Sequence, residues 1–464
     1  MKTHHGLFGR ICGFSNLLAS ADAAEKGRRL LPACGAFRVR LEAHLLRIQE
    51  QLQAGTWMPG PYQTRLIHWP KQRIISAAPF ADRVVHHALC RVVMPFFEQK
   101  MIYDLWSNRK GKGTHGAVAR AQSMCRKFRY VLKCDVQKFF PSIDHLVLKQ
   151  QIRRTVACPE TLSLMDKMID GSNPQEVVCQ VFPGDDLVEA ATRRVGLPIG
   201  NLTSQWFGGI ILTDFDHWVQ EELGAGYLRY VDDFLVFGND KQELANWRIR
   251  IRERLGHYRL RLHPKKCQIF PTSHGVPYLG HQIWPTRVRL AREKVARTRR
   301  RFRHLAKACR NGVLTPEALQ LSWAGWQGHA AGAKAWPLMS QMAAIVREGL
   351  CPAGKPVPAC CGVVRGTIPR TTCGALSATT THPQTRTTTT GFGVSGGMGD
   401  GAHSSGPKPE PGGTSFLRGV RAHGPPAVAS SVGAVLPLPG DEYQGGGGAG
   451  NPQGERPAAA APIS

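Results

Sequence analysis

The chain has 464 residues, and its 60 lysines and arginines stand against 33 acidic residues for a formal net charge of +27. That length allows two or three domains with a sizeable core, and that charge predicts a polyanionic partner, nucleic acid first and an anionic membrane second. No run approaches the roughly eighteen apolar residues of a spanning helix, and Arg10, Ser15 and Asn16 interrupt the only stretch that imitates a secretory leader, so a cytoplasmic protein is expected. Thirteen cysteines without any Cys-x-x-Cys pair argue against a disulfide framework or a zinc site.

Residues 1–60 read as helical, with Leu41, Leu45, Leu46, Ile48 and Leu52 near helical spacing. Strand-like runs at Thr64–Trp69 and Arg73–Ala77 precede an apolar helix through Val84, Val85, Ala88, Leu89, Val92 and Val93. Ser107–Gly116 is a glycine-spaced basic loop leading to a helix at Ala117–Lys127. Its Arg109, Lys110 and Lys112 can neutralise a triphosphate, or the loop is simply a solvated connection. A strand at Tyr130–Val136 carries Asp135 near its end, and Asp144 is the expected N-cap of the following helix. Residues 171–194 look like a loop-rich insertion, and Gly196–Gln205 leads into one long apolar helix through Trp218.

Tyr227–Gly238 reads as a hairpin with Asp232 and Asp233 at its turn. Adjacent acids repel, and a divalent cation between them is the simplest reason to keep the pair; the alternative is an exposed polar turn. With Asp135 on a neighbouring strand, three carboxylates could converge on two metal ions, the arrangement that activates a 3′-hydroxyl and stabilises a leaving pyrophosphate. An amphipathic helix at Asp240–His257 and short strands within Leu260–Phe270 and Val276–Trp284 follow. Arg287–Arg310 then holds eleven basic residues against Glu293 alone, a helix suited to tracking a duplex backbone, and Trp323, Trp326 and Trp336 lie on later helical segments. From Gly349 the chain turns rich in glycine, proline and threonine. This tail carries net +3 and leaves +24 on the first 348 residues, so the charge belongs to the folded part and the tail is expected to be disordered. Its threonine-rich stretch at 371–392 is either a linker or the off-frame image of asparagine codons.

Tyr230-Val231-Asp232-Asp233 resembles the Tyr-x-Asp-Asp motif of reverse transcriptases, and Asp135 with Phe139–His145 resembles their first catalytic motif. Leu197-Pro198-Ile199-Gly200 is similar to the motif beside the templating base and incoming nucleotide, Lys266 to the lysine that assists the leaving group, and Tyr278-Leu279-Gly280 to the primer grip. Ile199 through Gln205, together with Asn108–His115, resembles most closely the enzymes of diversity-generating retroelements. The resemblance implies an RNA-directed DNA polymerase of α+β class. Its right hand would comprise an N-terminal helical segment of the fingers at 1–60, a fingers-palm domain with an antiparallel palm sheet at 61–285, a basic helical thumb at 286–348 and a disordered tail at 349–464.

The same resemblance implies Asp135, Asp232, Asp233 and Lys266 as catalytic residues, with the carboxylates and the Val136 carbonyl holding two Mg2+ ions. Phe140 would be the steric gate against a ribose 2′-hydroxyl, with Ile199, Gly200 and Gln205 beside the nucleotide. Tyr278, Leu279, Gly280, Arg297, Arg300 and Arg301 would lie on the primer-template, while Arg83 and His115 would hold the fingers. The implied product is cDNA from a template-repeat RNA, error-prone at adenines, made with a small basic helical accessory protein in a bacterial or phage setting. Retron and group II intron enzymes, or a catalytically silent RNA-binding or antiphage relative, are the alternatives.

Overall fold

The computed structural model describes residues 3–350 apart from 69–71, 174, 175, 177 and 334. The tail beyond Leu350, with its threonine-rich stretch, and the expected strand end at Trp69 lie outside the described residues. Four helices open the chain: α1 (Phe8–Cys12), α2 (Phe14–Glu25), α3 (Pro32–Val39) and α4 (Leu41–Gln53). Helical spacing turns Leu17, Ala21, Leu45, Ile48 and Leu52 into a shared core. The antiparallel hairpin of β1 (Gln63–Ile67) and β2 (Arg73–Ala77) follows, and then α5 (Phe80–Glu98), whose apolar stripe enters the same core.

Helix α6 (Thr114–Lys127) begins three residues before the expected Ala117 and takes Thr114, His115 and Gly116 from the basic loop. Gly116 is where the Trp106 ring lies against the helix, a place a Cβ would occupy. After β3 (Tyr130–Asp135) come α7 (Phe139–Ser142), α8 (His145–Arg153), α9 (Pro159–Asp170) and α10 (Leu187–Thr192). Asp144 caps α8 as expected, its Oδ1 accepting from the Val147 N–H at 3.0 Å. Its other oxygen faces Arg193 and Arg259, both at 3.3 Å, which ties the 171–194 segment to the core.

The single long helix expected through Trp218 is instead two, α11 (Leu202–Ile210) and α12 (Thr213–Glu222). Gly208 and Gly209 weaken the first near its end, and the Gly209 carbonyl is taken by Thr213 Oγ1 and by the guanidinium of Arg229. The break turns Asp216 of α12 toward the hairpin of β4 (Gly226–Tyr230) and β5 (Asp233–Gly238). Helix α13 (Lys241–Gly256), capped by Asp240, leads to β6 (Gln268–Pro271).

Strands β4, β5, β3 and β6 pair in that order as an antiparallel sheet. Period-two alternation divides its faces. Leu132, Cys134, Phe234 and Val236 join the large helical core, whereas Val131, Leu228, Leu235 and Phe237 face α6 and a small sheet of β7 (Val276–Tyr278), β8 (His281–Ile283) and β9 (Val288–Leu290). The basic helix α14 (Arg292–Arg310) starts later than the expected Arg287, because Arg289 belongs to β9 and the Ala291 N–H bonds the Gly280 carbonyl. It packs with α15 (Pro316–Ala330) and α16 (Trp336–Leu350) around Phe302, Leu319, Trp323, Met342 and Val346. Gly349, where the composition changes, is still inside α16 and lies against Ala306. Among the described residues no helix is long and apolar enough to cross a membrane.

Candidate active site

The site is built on the mouth of the four-stranded sheet. Tyr230 and Asp233 are cross-strand partners, so the β4–β5 turn is the dipeptide Val231-Asp232. Asp135, the last residue of β3, is the register partner of Asp233, and the next peptide, Val136 N–H, donates to the Asp232 carbonyl at 3.0 Å. Three acids from two loci thereby share one strand end. Val231 holds φ +60°, a conformation that costs a β-branched residue about 1–3 kcal/mol.

The electrostatics are those of crowded carboxylates. Burial, then the neighbouring Asp135 charge, raises the Asp232 carboxyl above its ordinary range. Burial also pushes Asp233 up to about 7, with Asp232 and Asp135 adding repulsion against the opposing pull of Lys133. Asp233 Oδ2 is 3.6 Å from Lys133 Nζ, while its buried Oδ1 has no hydrogen-bond partner. Lys266 Nζ donates to Asp135 Oδ1 at 2.9 Å.

Among the described residues no three acidic, histidine or cysteine side chains form a ready-made metal cage. The unpartnered Asp233 oxygen, beside the Asp135 and Asp232 carboxylates, nevertheless fits a place for hard divalent cations, which take carboxylate and carbonyl oxygens. Cys134 and Cys267, beside Asp135 and Lys266, bring two free thiols within 3.1 Å across β3 and the approach to β6.

The other predicted residues divide. Ile199 and Gly200 dock on β2: the Ile199 carbonyl accepts from the Ser76 N–H at 2.9 Å, and a Cβ at Gly200 (φ +122°) would lie 2.8 Å from Ile75 Cγ2. Gln205, in α11, accepts on its carbonyl from Asn108 Nδ2 at 3.4 Å. Phe139 is buried and Phe140 half-buried, and both ring edges rest on Gly208, where a Cβ would stand 3.0 and 3.2 Å from them. The Tyr278 ring is buried with its hydroxyl 3.5 Å from the Asp233 carbonyl. Leu279 and Gly280 form the β7–β8 turn at φ +45° and +85°, with Lys294 laid over Gly280.

In the basic loop two of the three cations bond backbone carbonyls. Arg109 directs its guanidinium to the Ile102 and Glu98 carbonyls at 2.7 and 3.5 Å, closing the end of α5. Lys112 bonds the Tyr103 carbonyl at 2.8 Å and stands over the Tyr103 ring at 3.4 Å, so of the three expected phosphate ligands only Lys110 points fully outward. Other cations lie nearer the carboxylates. Arg73 of β2 lies close enough to Asp232 to favour its charged form, and Lys294 of α14 senses both Lys133 and Asp233. Strand alternation could have found Lys133, two residues before Asp135; nothing local marks Arg73. On α14, exposed Arg297 and Arg300 line a concavity of about 470 Å³ with Arg301 and His304. Arg301 also donates to Ser322 Oγ at 3.3 Å.

Carboxylates at adjacent strand ends, one of them in the hairpin turn, and a separate basic helix are the features a nucleic-acid polymerase would use. Residues 68–283 match the family described as reverse transcriptase (RNA-dependent DNA polymerase), and the chain carries that domain, with the activity of an RNA-directed DNA polymerase and the palm, fingers and thumb it implies. Protein YkfC of Escherichia coli K12 is 23% identical over 304 residues, covering 56% of this chain and 76% of YkfC. The COX1/OXI3 intron 1 protein of Saccharomyces cerevisiae is 21% identical over 180 residues, covering 38% of this chain but only 20% of the yeast protein.

Proposed function

We propose that this protein is the reverse transcriptase of a diversity-generating retroelement, copying a template-repeat RNA into cDNA with errors concentrated at adenines. The observation that carries the catalytic part is the register of Asp135 with Asp233 and the tie between Val136 and the Asp232 turn. In this reading Asp135, Asp232 and Asp233, with the Val136 carbonyl, hold two divalent cations, Mg2+ being the natural choice. Cations held there would supply activation of a primer 3′-hydroxyl and stabilisation of the leaving pyrophosphate. Lys266, already on Asp135, is the group to give the pyrophosphate a proton. Arg73 and Lys110 are the cations for the triphosphate. Phe140 excludes a 2′-hydroxyl, its ring position set by Gly208, and Tyr278, Leu279 and Gly280 carry the primer end.

The subgroup rests on Ile199. A branched alkyl side chain there removes amide contacts near the nascent pair, which weakens rejection of wrong pairs. A small basic helical accessory protein belongs to the same reading. The similarity to the yeast intron protein favours, as a second reading, a group II intron-type reverse transcriptase. Primer extension on a defined RNA template with dNTPs and Mg2+, followed by cDNA sequencing, tests both levels. Extension is expected, with misincorporation highest opposite adenine and reduced there in Ile199→Gln. A flat error spectrum overturns the subgroup; absence of extension overturns the catalytic reading.

A further inference from the structure

The Val231-Asp232 turn is held from three sides. The Val231 N–H donates to Ser107 Oγ at 3.1 Å, a residue at the head of the basic loop and buried to 4% exposure. The Val231 carbonyl accepts from Arg229 Nη1 at 2.9 Å. The Asp232 carbonyl accepts from Val136 N–H. Arg229 is itself immobilised: fully buried, it makes two bonds to Asp216, Nε to Oδ1 at 2.7 Å and Nη2 to Oδ2 at 2.6 Å, while Tyr227 Oη donates to the same carboxylate at 2.7 Å. Its main chain bonds Asp104 and Trp106 on the segment that carries Ser107. This turn places a β-branched residue at φ +60°.

We infer that Ser107, backed by Arg229 and Asp216, is a positioning clamp that holds Val231 in its left-handed conformation and thereby aims the Asp232 carboxylate at Asp135. The inference rests on the catalytic reading of Asp232. Without the clamp, the turn relaxes toward conformations a valine prefers, and Asp232 leaves the strand end it shares with Asp135. Misplacement on the ångström scale costs roughly 100-fold in such sites. A glycine at 231 adopts positive φ without strain and so makes the clamp dispensable, whereas an alanine sheds nearly the same bulk but keeps the Cβ that opposes the conformation.

The test is single-turnover extension of a primed RNA at saturating dNTP, with template affinity and melting temperature measured in parallel. Ser107→Ala should lower the rate roughly 10- to 100-fold while leaving melting and template affinity near wild type. Adding Val231→Gly to Ser107→Ala should restore the rate to within about threefold of Val231→Gly alone. Adding Val231→Ala should not. A wild-type rate in Ser107→Ala, or equal effects of glycine and alanine at 231, overturns the clamp. Ser107→Thr keeps the hydroxyl, so if Ser107→Ala melts early, a Thr variant as slow as Ala also overturns it. Asp232→Asn in the same series separates the two failures: full activity there sinks the catalytic reading and the clamp with it.

Discussion

In the proposed reading, the aspartate turn and helix α14 serve one reaction by opposite means. At the turn, a backbone amide, a buried guanidinium and a serine hydroxyl converge on two residues, and the carboxylates are buried and crowded. On α14 the cations are spread over a long surface, with Arg297 and Arg300 exposed, while Arg299 and Arg310 reach Gln341 and Glu348 of α16. The first region acts through position, where one misplaced atom matters. The second acts through summed charge, where each residue contributes a little and salt screens all of them.

The largest effect that sharpens this contrast is Asp135→Ala, which should reduce elongation by at least about 1,000-fold, the scale of losing an essential charge-stabilising group. Template affinity should change little, and a comparable loss of binding would merge the two regions. Next comes Phe140→Ala, expected to raise use of ribonucleotides roughly 10- to 100-fold in competition assays because a steric exclusion is removed. Unchanged sugar selectivity would return Phe140 to the core with Phe139. A smaller effect is expected on α14: Arg297→Ala and Arg300→Ala should each weaken template binding several-fold and lower the salt-dependence slope by about 1, with the elongation rate of bound complexes unaffected.

The smallest effect concerns a buried group outside both regions. His86 of α5 is buried, and burial first, then His87 and Arg83, lowers its pKa to about 3. Its neutral form is the folded form, so its stability contribution is full above the unfolded value of about 6.5 and is lost as pH falls toward 3. His87, at about 4, acts in the same direction. Urea midpoints measured from pH 7 to pH 4 should fall less steeply in His86→Leu than in the wild type. Parallel slopes would remove His86 as a cause.

The hairpin and the strand ending at Asp135 were legible because strand alternation is a short-range fact, as is Asp144 as a cap, but the turn falls one residue earlier than expected: Val231-Asp232 form it, and Asp233 opens β5 opposite Tyr230. Several contacts made with distant partners were not legible. Arg109 and Lys112 look like phosphate ligands until the Ile102 and Tyr103 carbonyls come within reach. Arg73 approaches Asp232 from a different hairpin, and the guanidinium of Arg229 reaches the Gly209 carbonyl where the apolar run through Trp218 breaks. Ser107 stands in sequence at the head of the basic loop, and its hydroxyl faces the Val231 amide.

The most direct test is to measure template affinity and single-turnover elongation together for two proteins, Asp232→Ala and the Arg297→Ala/Arg300→Ala double variant. The account predicts a crossed result: Asp232→Ala binds primed RNA like the wild type and does not extend it, while the double variant binds weakly and extends normally once saturated. Asp232→Ala extending at near wild-type rate, or both variants losing binding and elongation in proportion, would contradict it.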